Sequence, residues 1–180
     1  STWMDVDKVD FRQEPFDCAV LLSDGHFPDE WESTELFAEW LIPVCSAADA
    51  ADAPWTLERL RAAQQLHPTP DRRDWRRWLQ ATGLSDQVPL KSGQMFDMLE
   101  LGIVAAARGY GVSIGDLLMV AEDVALGRLG LPWPTAVLSG ERYYLVWPRA
   151  HRAQGRLRRL RDYLLAEVAA LALPEVERLR

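Results

Sequence analysis

Two cysteines, three histidines and no glycine-rich loop are nearly all that this chain of 180 residues offers to catalysis or metal chemistry. Cys18 and Cys45 both sit in apolar, strand-like runs and read as small buried hydrophobes. Two cysteines do not make the disulfide framework of a small oxidised domain. His26, His67 and His151 are scattered, and none has a partner at metal-ligand spacing. His67, between Leu66 and Pro68, is placed either to line a cleft or to hold a structural hydrogen bond. A Gly-x-Ser-x-Gly elbow, a phosphate loop and a Gly-x-Gly-x-x-Gly turn after a strand are all missing. Gly109-Tyr110-Gly111 comes nearest, yet it follows a helical pattern and leads into a strand, the reverse of the order needed. Carboxylate pairs such as Asp49/Asp52 and Glu122/Asp123 fall in polar segments. The sequence therefore predicts no enzyme, no metal and no cofactor.

Long hydrophobic runs and a basic surplus are lacking too. No apolar stretch approaches the ~20 residues of a membrane-spanning helix, and no basic-then-apolar leader opens the chain. A cytoplasmic protein with no membrane partner is expected. Acidic residues (27) outnumber basic ones (20), for a net charge of −7. That argues against a chain that grips a phosphate backbone unaided, because such binding rests on clustered Lys and Arg.

What is present is ordinary globular composition, 48% hydrophobic and 26% charged. It suffices for one good core or two small ones sharing a cleft. The most informative stretch is 36–45, a long apolar run that contains Pro43 and ends at Ser46. Such a strand suits a crossing from one lobe to another better than a central sheet position. Before it, 6–16 reads as a short helix stopping near Pro15. Residues 17–22 read as a buried parallel strand closed by the turn Ser23-Asp24-Gly25. After it, Thr56 caps a short helix and 65–67 is a brief strand. Residues 71–83 form an amphipathic helix with Trp75, Trp78 and Leu79 inward and Gly83 just past its end. A strand is expected over 88–96. Asp97 with Glu100 makes a capping box for an apolar helix over 98–108. Then come a strand at 111–115, a helix opened by Asp116, an irregular stretch at 129–134 and a strand at 143–147. The last helix, about 151–173, aligns Leu157, Leu160, Leu164, Val168 and Leu171. Its arginines read as a solvated face rather than a binding patch, and the tail beyond Pro174 is expected to fray. The alternation predicts an α/β fold with mainly parallel pairing.

With no reaction legible, the remaining chemistry is that of a concave site. Ligands of open α/β sheets sit beyond the carboxyl ends of strands, where helix N-termini converge. Three such places can be read, around Leu22-Ser23-Asp24, Phe96-Asp97-Met98 and Ile114-Gly115-Asp116. Free N–H groups at a helix start favour a carboxylate or phosphate. Asp97 and Asp116 can instead occupy those donors themselves or receive an ammonium group. The choice stays open between an amino acid, an amine and a small carboxylate.

Eight segments, in order, carry a family resemblance. They are Val9-Asp10-Phe11 with Phe16 to Gly25, Leu41 to Ser46, Thr56 to Leu60 with Leu66-His67, and Asp74 to Leu79 with Ala81 to Leu84. Phe96-Asp97, Gly109 to Ile114, Gly127 to Leu129 with Pro132, and Tyr143 to Pro148 complete the set. Together they resemble the effector-binding domain of LysR-type transcriptional regulators, in the branch of the glycine-cleavage-operon and D-serine-deaminase activators. The resemblance implies two Rossmann-like lobes of the periplasmic-binding-protein type 2 kind, with a small-molecule effector between them. The implied layout is 1–44 as part of lobe I, 45–142 as lobe II, and 143–180 as the return crossover and C-terminal helix of lobe I. The family's N-terminal winged helix-turn-helix, and the first strand and helix of lobe I, have no counterpart in this sequence. Carried over position by position, Ser23, Cys45, Ser46, His67, Phe96, Asp97, Ile114 and Gly115 would face or border the effector. Leu22-Ser23 stands where many relatives have Tyr-Gly or Phe-Gly, which alters the pocket lining. The implied partners are a small-molecule effector, DNA through the absent domain only, RNA polymerase, and further copies in a homodimer or homotetramer. Within that assembly the helices over 98–108 and 6–16 would dock across an antiparallel dimer. The alternative from another class is the solute-binding receptor of a transporter, which shares the two-lobe fold.

Overall fold

A computed structural model describes residues 9–13, 16–90, 93–96 and 98–180. In chain order the elements are β1 (Ala19–Ser23), β2 (Trp31–Ser46), α1 (Ala47–Asp52), α2 (Leu57–Ala62), β3 (Gln65–His67), α3 (Arg73–Ala81) and β4 (Gln94–Met95). They continue with α4 (Leu99–Ala107), β5 (Val112–Asp116), α5 (Leu117–Ala125), β6 (Leu129–Gly130), β7 (Thr135–Pro148), α6 (Gln154–Ala170) and β8 (Glu177–Leu179). Helix starts follow local chemistry: the hydroxyls of Ser46 and Thr56 accept the N–H groups of Asp49 and Arg59, and the Asp116 carboxylate caps α5. Gly83, at φ +70°, ends α3 from the left-handed position that a side chain resists.

The chain divides into two compact units, residues 1–39 with 140–171, and residues 40–139 with 172–180. It passes between them three times, at 39/40 inside β2, at 139/140 inside β7 and at 171/172. Gly140 sits at the second passage with φ +103°, a backbone state that only glycine adopts without strain. At the first, Pro43 lies a little downstream, opposite Ile114, and β2 runs on through it to Ser46.

In the first unit β1 pairs antiparallel with the second half of β7, from Ala19↔Val146 to Ser23↔Arg142. Aromatic side chains fill one side: Phe11 meets Phe16 and Trp31 edge-on, and Phe27 meets Tyr144. Leu145, Trp147 and Leu157 close the other, with the Trp147 indole N–H donating to Gln154 Oε1 at 3.2 Å. In the second unit β2 pairs antiparallel with β5 and β6, β5 pairs parallel with β3, and β3 pairs parallel with β4. Its core divides by the alternation of side chains along each strand. Leu41, Cys45, Val112 and Ile114 join Trp75, Trp78 and Leu79 of α3 on one face, while Ile42 and Val44 join Leu117 and Val120 of α5 on the other. Both buried indoles are satisfied, Trp75 Nε1 by Leu66 O at 2.9 Å and Trp78 Nε1 by Thr135 O at 2.8 Å.

Several expectations are corrected. Pairing is mixed rather than mainly parallel, because β2 runs antiparallel to β5 and β6, and β7 antiparallel to β1. β1 is antiparallel and only half covered, with Val20 51% exposed. Of the run at 88–96, residues 91 and 92 lie outside the described residues, and among the described ones only Gln94 and Met95 form a strand, β4. The tail does not fray: β8 pairs parallel with the start of β7, Glu177 accepts from the Thr135 hydroxyl at 3.0 Å, and Val176 and Leu179 pack against the second unit's core. Of the expected helix over 6–16, residues 6–8, 14 and 15 lie outside the described residues, and residues 11–13 form a turn.

Candidate functional site

The second unit gathers the strongest set of predicted site residues where the parallel strands β3 and β5 end and helices α4 and α5 begin. Side-chain alternation decides which residues can reach that edge. Ser113 and Gly115 of β5 face α4. A Cβ added to Gly102 of α4 would lie 3.0 Å from Ser113 Oγ, and one added to Gly115 would meet Val120 at 2.8 Å and Ile103 at 3.7 Å. The helix thus rests almost on the strand backbone. His67 closes β3, fully buried. Its Nε2 accepts the N–H of Gly93 at 3.3 Å, and its carbonyl accepts the N–H of Phe96 at 2.9 Å. Gly93 makes this approach possible, since a Cβ there would fall 1.7 Å from Gln65 O. The half-buried Phe96 ring lies 3.6 Å from the space beside Gly102, next to Pro68.

The two helix starts differ in electrostatic state. At α5 the Asp116 carboxylate accepts from Leu118 N at 2.9 Å and Met119 N at 3.2 Å, and its second oxygen accepts from Trp40 N at 2.9 Å. Burial pushes its pKa up to about 6, against the opposing pull of those three donors. This helix start is occupied by the protein itself. At α4 the cap position is Met98, in extended conformation and without a side-chain cap bond of its own, and Phe96 and Pro68 form an apolar wall beside Gly102.

The remaining predicted residues are placed otherwise. Asp97 lies outside the described residues. Ser23 belongs to the first unit, at the end of β1, where its hydroxyl accepts Gly25 N at 3.1 Å and shapes the turn. Ser46 is spent on capping α1, with its Oγ donating to Asp49 Oδ2 at 2.7 Å. Cys45 and Ile114 point into the tryptophan-rich core, at 1% and 0% exposure. The Cys45 thiol is pushed up to about 12, by burial first and by Asp49 second, with Arg59 opposing. Ser113, Gly102 and Gly93 were not anticipated. A glycine inside the most apolar helix is a costly choice for helix stability, and Gly102 was the one signal of close packing that the sequence held.

His67 and Phe96 thus meet at the end of β3, close beside α4, the kind of sheet edge at which open α/β folds hold ligands. The family described as LysR substrate binding domain matches residues 9–169, and the chain belongs to it. It is 28% identical over 155 residues to the glycine cleavage system transcriptional activator of Escherichia coli (strain K12), covering 86% of this chain and 50% of that protein. It is also 28% identical over 165 residues to the HTH-type transcriptional regulator TrpI of Pseudomonas aeruginosa, covering 90% of this chain and 55% of that protein. Among solved structures, the effector domain of the transcriptional regulator AmpR of Pseudomonas aeruginosa superposes with a TM-score of 0.73 at 25% identity, covering 92% of this chain and 78% of that one. The fold is therefore the two-lobe fold of LysR effector domains, and this family favours a regulator over a transport receptor. The chain spans about half the length of the two regulators it matches by sequence. Among the described residues no helix is long and apolar enough to cross a membrane, and no cluster of side chains could hold a metal ion.

Proposed function

We propose that this chain is the sensing half of a LysR-type transcription regulator, which takes up a small metabolite and passes its occupancy to a DNA-binding portion of the whole protein. The observation that carries the reading is the family match over residues 9–169. The effector is an amino acid or small carboxylate. Its body lies against Phe96 and Pro68, with His67 and Gly115 as part of the wall. Cys45 and Ile114 act from behind it as packing. The protein works in the cytoplasm as a homodimer or homotetramer, catalyses no reaction, and communicates with RNA polymerase at its promoter. A ligand that binds one arrangement of the units better than another shifts the population between them, and ~5.5 kcal/mol of preference is ample for a near-complete switch.

Thermal-shift screening of amino acids and small carboxylates against the full-length regulator tests the reading. The expected result is a raised midpoint with a subset of carboxylates and a lost response in Phe96→Ala. A ligand whose response survives Phe96→Ala, or a full-length protein without any preference for its own promoter, would refute it.

A further inference from the structure

The first half of α6 and the residues just before it carry five arginines within 152–161, on a chain whose net charge is −7. Arg156 and Arg159 lie at i and i+3 on α6 and Arg152 in the turn just before it; the three line one shallow surface concavity, and Tyr163 follows Arg159 four residues on. All three are exposed, as is Tyr163 at 59%. Among the described residues none of the three guanidinium groups has a carboxylate partner or a hydrogen bond. Arg161, one row away, is paired with Asp162 at 2.7 Å. His151, at the head of the helix, is committed elsewhere: its Nε2 contacts Asp17 Oδ1 at 2.8 Å and its Nδ1 accepts the N–H of Ala153. The result is an uncompensated cationic row of three arginines at the head of α6.

We infer that this row is a docking surface for the phosphate backbone of the DNA held by the whole regulator, an auxiliary contact made by the sensing half itself. The inference rests on the regulator reading above. Guanidinium forks match phosphate oxygens bidentately, and the Tyr163 hydroxyl adds a further donor of the kind that backbone contacts use. The net charge forbids the chain from binding DNA alone. Tethering removes that obstacle, because a surface carried by a DNA-bound protein meets the duplex at an effective concentration near millimolar. Weak contacts then count. Charge by itself would also fit an acidic protein segment, and the transcription and oligomer readouts below distinguish that outcome.

The test is the salt dependence of promoter binding by the full-length regulator, read by fluorescence anisotropy between roughly 50 and 200 mM salt. Arg156→Ala/Arg159→Ala should flatten the slope of log K against log salt by about 2, at ~0.9 per lost phosphate contact. Arg156→Lys/Arg159→Lys should keep most of the slope. Arg61→Ala/Arg108→Ala, which removes the same charge from exposed positions off α6, should leave it unchanged. Equal slopes for the α6 alanine pair and the wild type would overturn the inference while leaving the regulator reading intact. So would an equal loss in the Arg61/Arg108 pair, which would mean a general charge effect. A transcription defect with unchanged slope would assign the row to an acidic protein instead, and a changed oligomeric state would assign it to a second copy. A wild-type protein that does not bind its promoter sinks the regulator reading, and this inference with it.

Discussion

Asp116 offers the sharpest test of how the second unit is built, because two physical effects on it oppose each other. It is 1% exposed, and its carboxylate receives three backbone N–H groups, two from the first turn of α5 and one from Trp40, 76 residues earlier. Donors aimed at a carboxylate favour the ionised form, whereas burial favours the neutral one. Burial wins, raising the group from 3.8 to about 6. A folded-state value above the unfolded one means that the native protein binds the extra proton. Its stabilising contribution is complete below about pH 4 and fades as pH rises through about 6. A rise of that size corresponds to roughly 3 kcal/mol in all. Asp116→Asn cannot ionise, so it lacks this decline. Urea denaturation followed by tryptophan fluorescence, at about pH 4.5 to 8 in steps, should show the variant gaining on the wild type with rising pH. The gain should total about 2 kcal/mol over that range and level off above about pH 7. Other titrating groups are common to both proteins and cancel in the difference. Parallel profiles would refute the raised value. A wild type that instead gains on Asp116→Asn with rising pH would mean that the three donors outweigh burial.

Two further substitutions probe the packing around the site. Gly93→Ala drives a methyl into Gln65 O, so residues 93–96 must part from β3. The expected cost is about 1–3 kcal/mol or more, and hydrogen exchange should show the Phe96 amide losing protection while the amides of β1 keep theirs. Unchanged Phe96 protection would contradict the geometry. Trp78→Phe leaves the Thr135 carbonyl without its indole donor in a fully buried place, at a cost of about 1–3 kcal/mol in chemical denaturation. A variant as stable as the wild type would show that this bond contributes nothing.

Much of the second unit was legible from local pattern. The inward face of α3, the caps at Thr56 and Asp116 and the stop at Gly83 all follow from neighbours within four residues, so periodicity and capping chemistry suffice to find them. Strand partners were a different matter. The run at 17–22 has the apolar density of a buried parallel strand, yet β1 pairs antiparallel and leaves Val20 exposed. Density reports burial in general and carries no direction. β8 was expected to fray because it is a chain terminus beyond the helix-stopping Pro174. Its anchors, Thr135, Val176 and Leu179, come together only when residues 172–180 return to the second unit. The site shows the same division. His67 and Phe96, both singled out in the sequence, lie together through the Phe96 N–H on the His67 carbonyl, whereas Cys45 and Ile114 are turned into the core by strand register, which flips a side chain with each residue. Gly93 and Ser113 were missed because their importance lies in what they approach.

The sequence by itself determined the α/β character, the helix boundaries near their capping residues, the apolar faces and the family, since each is written in residues a few positions apart or in ordered motifs. The tertiary structure alone decided the direction of strand pairing, the three passages between the units, the face each strand residue presents, and the Trp40 N–H on Asp116. Those outcomes depend on contacts across tens of residues, where backbone register and the burial of a whole unit outweigh any local preference.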